Sequence, residues 1–440
     1  PSHCTLREAV AASNANPGED TIGFAPGLSG SIVLTEGEIT LTDDVVIVGP
    51  GADVLTVSGN NSSRIFVIDA VTATISDLTL ADGFSFENGG AVAIYQFGDG
   101  GNLVGSRLVL RDNESLASGG AIYSYRNLTL VDSALFNNSS RFNGGALNIL
   151  GLNNTALISN TAIYSNTAGQ SGGGIYVQPS EGLLEMWLAN VTLSGNSAGA
   201  DGGGISASAG ILSLNNVTIT NNTADSSDDD EYIGDGGGAV IGADLTIANT
   251  LIAGNSDGSG GAPDCQLYGF TTNLGHNLIG DSEGCDWPAE PSDILDSDAG
   301  LGALRDNGGP TLTHGLLAGS PAIDAGSAAP ADDPGACAPT DQRGTARPQD
   351  GDGSSGARCD IGAFELAQGE VVAQSAAGRP FALAAPNLIG FRFAAWMPST
   401  ASGAVGRTIA AQLDGQAPLY SAILSPTNGL LLDSLAAVTV

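Results

Sequence analysis

Gly119-Gly120-Ala121-Ile122 returns 25 residues later as Gly144-Gly145-Ala146-Leu147, and between the two stands Phe136-Asn137-Asn138. The glycine quartet has four further copies: Gly89-Gly90-Ala91-Val92, Gly172-Gly173-Gly174-Ile175, Gly202-Gly203-Gly204-Ile205 and Gly236-Gly237-Gly238-Ala239. Their third residues are 30, 25, 28, 30 and 34 apart. An out-of-phase series places an Asn after an apolar run, at Asn113, Asn138, Asn166, Asn196, Asn222 and Asn255. Two interleaved motifs sharing one period are the signature of a coiled repeat.

Between the markers lie period-2 runs such as Leu128-Thr129-Leu130-Val131, Val191-Thr192-Leu193-Ser194 and Val217-Thr218-Ile219-Thr220. Aliphatic and β-branched alternation bounded by Gly, Asn and Asp reads as short strands joined by tight turns. A period of 25 to 34 residues is too short for a propeller blade of roughly 40 residues, and leucine-rich spacing is missing. The fold class expected is all-β: a right-handed parallel β-helix of about ten coils, stacked at the strand spacing of about 4.8 Å. Recurring glycines mark corners that need positive φ or close backbone approach. The Asn series is expected to form a ladder, each amide satisfying backbone groups of the next coil. Thr5 and Glu8, three apart ahead of an apolar run, predict a capping box and a short helix closing one open end.

Three blocks resemble a bacterial surface-protein architecture. Cys4-Thr5-Leu6-Arg7-Glu8-Ala9-Val10, with Asp20-Thr21-Ile22-Gly23-Phe24, looks like the CSLREAI domain of secreted proteins. The middle resembles the GGAI and FxxN repeats of polymorphic outer-membrane proteins. Near the end, Asp306-Asn307-Gly308-Gly309-Pro310-Thr311, Gly319-Ser320-Pro321-Ala322-Ile323-Asp324-Ala325-Gly326, Asp341-Gln342-Arg343-Gly344, Arg347-Pro348 and Cys359-Asp360-Ile361-Gly362-Ala363-Phe364-Glu365 resemble the choice-of-anchor Q domain. The resemblance spans about residues 1 to 366 and implies an extracellular parallel β-helix without an assigned enzymatic role. It divides the chain into an N-terminal cap (1–30), β-helix repeats (31–290), a choice-of-anchor-like end of the helix (291–366) and a β-rich extension or assembly tail (367–440).

The chain of 440 residues is 42% hydrophobic, enough to bury a large core. It lacks an apolar run of about 18 residues, so no membrane-spanning segment is expected. With 47 acids, 13 arginines and no lysine, its net charge is −34, which argues against nucleic acid or anionic lipid as partners. Such a surface suits salt-rich surroundings, although absent lysine also follows from genome composition. Cys265 with Cys285 and Cys337 with Cys359 suggest two local bridges, each worth roughly 3 kcal/mol, with Cys4 left over. Bridges place the chain outside the cytoplasm, exported by a signal that these 440 residues do not carry. The texture changes after residue 366, where Phe381, Phe391, Phe393, Trp396 and Tyr420 replace the Asn-Gly repeats.

Chemistry is harder to find. Parallel β-helices include polysaccharide lyases and hydrolases, which need an Arg or Lys base beside calcium-holding acids, or converging carboxylates. Arg107, Arg111, Arg126 and Arg141 have no acid cluster at equivalent coil positions in the sequence, and His3, His276 and His314 are far apart. No motif requires a cofactor. Calcium is the ion suggested by Asp228-Asp229-Asp230-Glu231 and by Asp350 and Asp352, although each run also reads as a solvated loop. The expected function is an extracellular structural or adhesive protein, self-associating or meeting a surface glycan or protein. A polysaccharide-active enzyme is the competing class.

Overall fold

In the computed structural model, each glycine quartet turns a corner into a three-residue strand. Gly119 takes φ +71°; a Cβ placed on Gly120 would lie 2.1 Å from the Gly145 carbonyl oxygen of the next coil. The first glycine therefore makes the turn and the second lets coils stack. Six strands follow such corners, Val92–Ile94, Ile122–Ser124, Leu147–Ile149, Ile175–Val177, Ile205–Ala207 and Ala239–Ile241, and Ile39–Leu41, Phe66–Ile68 and Cys265–Leu267 extend the same face. They pair in parallel as one sheet.

The structure describes residues 4–95, 101–151, 154–179, 183–225, 236–258, 260–353 and 356–374, with strand segments at 380–383, 391–398, 407–413, 420–425 and 429–432. The second face is a 19-stranded sheet to which most coils give two strands, such as Asn127–Val131 and Ala134–Phe136. In two coils the pair fuses into Asn154–Tyr164 and Leu184–Ser194, bent at Asn160 and Asn190, which hold positive φ. A third face carries seven two-residue strands. The fold is a parallel β-solenoid of about nine turns, in line with the expected count, and the parallel stack ends at Ile294–Leu295.

Inward side chains align by register. Leu110, Leu135, Ile163, Leu193, Ile219 and Ile252 form one row, all at most 1% exposed. Each such aliphatic contributes about 1.5–3 kcal/mol on burial.

The asparagine ladder is present as expected. Asn166 Oδ1 accepts from the Asn138 backbone N (3.0 Å) and Nδ2 (2.9 Å). Its own Nδ2 donates to Asn196 Oδ1 (2.9 Å) and to the Leu135 carbonyl (3.0 Å). The same four bonds recur from Asn138 through Asn255, and Asn113 makes three of them, its Oδ1 accepting from the Gly83 N–H alone. The ladder starts at the Gly83 N–H and stops at Asp264, whose Oδ1 accepts from Asn255 N and Nδ2. Asn113 and Asn138 head Asn-x-Ser matches, yet both are 1% exposed and so closed to glycosylation.

Both ends are covered. The helix Leu6–Asn14 carries the expected Thr5–Glu8 capping box and buries Leu6 and Val10 against the core. Asn14 bonds the Thr40 carbonyl and the Thr42 N–H, occupying the exposed edge of Ile39–Leu41. At the other end, the Cys265–Cys285 disulfide ties the last strand of the glycine face to a loop whose Trp287 packs on the core. Cys337–Cys359 is also bridged, and Cys4 is free and exposed.

Residues Gly369–Val440 form a separate unit. Val371–Gln374 pairs antiparallel with Pro380–Leu383, and Phe391–Pro398, Arg407–Leu413, Tyr420–Ser425 and Gly429–Leu432 make a four-stranded antiparallel sheet.

Asn166→Ala removes one acceptor and two donors from buried partners, each worth about 1–3 kcal/mol when left unpaired. The variant should lose on the order of 3–5 kcal/mol in urea unfolding, while Ala at exposed Asn127 should cost about 0.5 kcal/mol.

Candidate functional site

Residues beyond 297 lie along the solenoid rather than continuing it. Asn190 Nδ2 donates to the Thr340 carbonyl, Thr192 Oγ1 to Gln342 Oε1, and Thr218 Oγ1 accepts from the Ala363 N–H. Asn249 Nδ2 reaches the Gly335 carbonyl, and Thr311 Oγ1 reaches the Asn160 carbonyl. This block therefore covers the outward side of the later coils, using the positive-φ corner residues as anchors.

The quoted motifs of this block supply its interior. Arg347 Nη1 meets Glu365 Oε2 at 2.7 Å and the Asp360 carbonyl at 3.0 Å. Arg343 Nε meets Asp341 Oδ2 at 2.8 Å and lies over the Phe364 ring, 3.7 Å from its centre. Arg347 and Glu365 are 1% and 0% exposed. Burial, then the neighbouring Glu365 charge, pushes Asp360 up to about 8, and burial also lowers Arg347. Three acids and two arginines thus form a closed ionic cluster. In the sequence these residues stand in separate motifs, and nothing in their spacing shows that they converge.

The residues singled out for calcium fare differently. Asp228, Asp229, Asp230 and Glu231 lie outside the described residues. Asp350 and Asp352 come together with Asp324, ligand atoms within 4.8 Å, the one such trio of His, Cys, Asp or Glu among the described residues. Asp324 was missed, being 26 residues from Asp350. Its oxygens accept from the Asp352 N–H (3.1 Å) and the Arg358 N–H (3.4 Å), while Asp350 Oδ1 is buried without a partner. Burial raises the Asp324 carboxyl above its usual range. Three carboxylates could hold a hard cation, short of the six to eight oxygens calcium takes.

Of the early arginines, two pair with single acids and Arg141 lies over the Phe142 ring. Arg107 forms a two-bond ion pair with Asp77 of the preceding coil (2.6 and 2.7 Å), and Arg111 meets Asp112. His276 bonds the Ala325 carbonyl; His3 lies outside the described residues.

Two outward features remain. One is a row across nine coils: Val46, Thr74, Val104, Thr129, Leu157, Trp187, Ser213, Thr246 and Thr272. It carries no charge, spans roughly 40 Å at the strand spacing, and exposes Leu157 (44%) and Trp187 (49%) at its centre. The other is a row Arg111, Phe136, Tyr164, Ser194, Thr220, Ala253. Phe136 and Tyr164 stack at 4.9 Å with planes 10° apart. From Ser194 onward this row lines a cavity of about 690 Å³, shared with Asp264, Asp281, Asp298 and His314. Sequence spacing alone did not single out either feature, since each depends on which residues align between coils.

Removing Arg347 strands the Glu365 carboxylate. Arg347→Ala should cost about 3–5 kcal/mol in urea unfolding, and Arg347→Met with Glu365→Leu should recover most of that.

Among the described residues, no helix is long and apolar enough to cross a membrane. Neither a family model nor a curated protein matches the sequence. Among solved structures, the crystal structure of pectate lyase Pel9A is similar at 14% identity, over 81% of this chain and 90% of its own, with a TM-score of 0.29. That degree of likeness carries no argument about activity, and the three domain resemblances rest on their motifs.

Proposed function

We propose that this chain is an extracellular β-solenoid with a structural and adhesive role, its contact surface being the uncharged row centred on Trp187. The observation carrying this reading is the exposure of Leu157 and Trp187 side by side in the middle of that row. The row offers aligned positions without a charge, and an exposed Trp in a flat β surface is the side chain that stacks on a sugar ring. Repetition at one strand spacing suits weak, multivalent contacts with a polymer. The partner inferred is a neutral surface glycan. Two disulfides agree with an oxidising location.

Self-assembly by stacking coil on coil is disfavoured, since a helix covers one end and the Trp287 loop the other. Any filament would have to use another surface, such as Gly369–Val440. Calcium at Asp324, Asp350 and Asp352 enters as a brace for the covering block, outside the contact surface.

The test is retention on a panel of insoluble polysaccharides at low and high salt. Binding to a neutral glycan should survive 0.5 M salt, about threefold above physiological strength, because no ion pair carries it. Trp187→Ala should weaken it roughly tenfold, about 1.4 kcal/mol. Failure to bind any glycan, or indifference to Trp187→Ala, removes the adhesive reading.

A further inference from the structure

Ser194 closes the strand Leu184–Ser194 on the outward side, and His314 faces it from the strand Thr313–Leu316 of the covering block. His314 Nε2 lies 2.9 Å from Ser194 Oγ, and its Nδ1 lies 2.6 Å from the Gly302 carbonyl oxygen. A carbonyl only accepts, so the ring proton sits on Nδ1 and the Nε2 lone pair points at the serine hydroxyl. Burial lowers His314 below its ordinary range and keeps the imidazole neutral. A hydroxyl donating to a neutral imidazole whose far nitrogen is held is the arrangement of an activated nucleophile. Here a backbone carbonyl does the orienting that a carboxylate performs in the familiar triad.

Holding the covering block on this strand does not by itself explain the pair. Thr192 and Gln342, two residues along the strand, already make that link at 2.7 Å and are fully buried. Ser194 and His314 instead line the cavity of about 690 Å³, whose rim carries exposed Asp281 and Asp298 and so meets solvent.

We propose that Ser194 is the nucleophile and His314 the general base of an esterase site acting on short acyl esters of a sugar. Ser194 Oγ forms a bond to the acyl carbon as its proton passes to His314 Nε2. The tetrahedral intermediate then breaks the acyl–oxygen bond, and His314 returns the proton to the departing sugar hydroxyl. Water, deprotonated by His314, repeats the sequence at the acyl-serine and releases a carboxylic acid. The net reaction is ester plus water to alcohol plus acid, with no redox partner. Gly302 is a positioning residue through its carbonyl.

The substrate class follows from the surroundings. One coil before Ser194 in the same outward row stands Tyr164, stacked on Phe136 of the coil before it, so that apolar ring surface of the kind against which a pyranose packs borders the site. Asp264, Asp281 and Asp298 line the cavity and disfavour anionic esters. A neutral, O-acylated glycan meets both conditions. This site is independent of the Trp187 row, and either can fail alone.

The experiment treats the full chain, disulfides intact, with a fluorophosphonate probe, maps the adduct by mass spectrometry, and measures hydrolysis of p-nitrophenyl acetate and of acetylated xylan. The expected result is a single adduct at Ser194 and turnover of both esters. Ser194→Ala should abolish the adduct, and both Ser194→Ala and His314→Asn should slow hydrolysis by on the order of 10²–10⁴. Ser194→Ala removes one oxygen, and its circular dichroism and melting should match the parent, so its result stands even where His314→Asn misfolds. An unlabelled Ser194 in the folded parent, or hydrolysis unchanged in Ser194→Ala, overturns the proposal.

Discussion

A solenoid must bury a polar corner at every turn, and water cannot reach it. The groups that satisfy the corner of one coil must come from the coil above or below, one strand spacing away. Asparagine meets this condition alone among small side chains, because it accepts and donates in the same plane. Each ladder Asn takes two bonds from one neighbour and gives one to the other, while its fourth ties the strand before it. The glycine corners, the aligned aliphatic rows and the outward surface all inherit the register that the ladder sets.

That register makes surface chemistry collective. Trp187, Leu157 and Thr129 are neighbours because parallel pairing aligns them, although each is 28 or 30 residues from the next. The covering block then divides the outward side into an open part and a roofed part. It grips the corner residues Asn190, Asn216 and Asn249, whose side-chain amides donate to its backbone carbonyls. Its ionic interior, built on Arg347 and Glu365, holds a loop-rich segment that lacks a continuous apolar core of its own.

Much of this was legible in the sequence because it is local or periodic. The capping box lies within four residues, the glycine corners recur visibly, and each disulfide joins cysteines 20 or 22 apart. The Asn ladder could be inferred from its period alone. The sequence did not show the return of residues 297–366 along the coils, since Thr192 and Gln342 are separated by 150 positions without a repeating signal. For the same reason His314 looked isolated when its partner was Ser194, and Asp324 was not connected with Asp350 and Asp352. Irregular loops place side chains by specific contacts, and such contacts carry no period to detect.

The end of the ladder has its own meaning. Every amide in it points the same way, from Gly83 toward Asp264, so the row is a directed wire of dipoles. Asp264 accepts the final two bonds and, as a carboxylate, has nothing to hand on; its other oxygen takes the Asp281 N–H instead. Replacing an amide nitrogen by an oxygen thus acts as a terminator in a one-way sequence of donors. Parallel strands continue beyond it to Ile294–Leu295, so Asp264 ends the ladder of donors before the stack of coils itself ends.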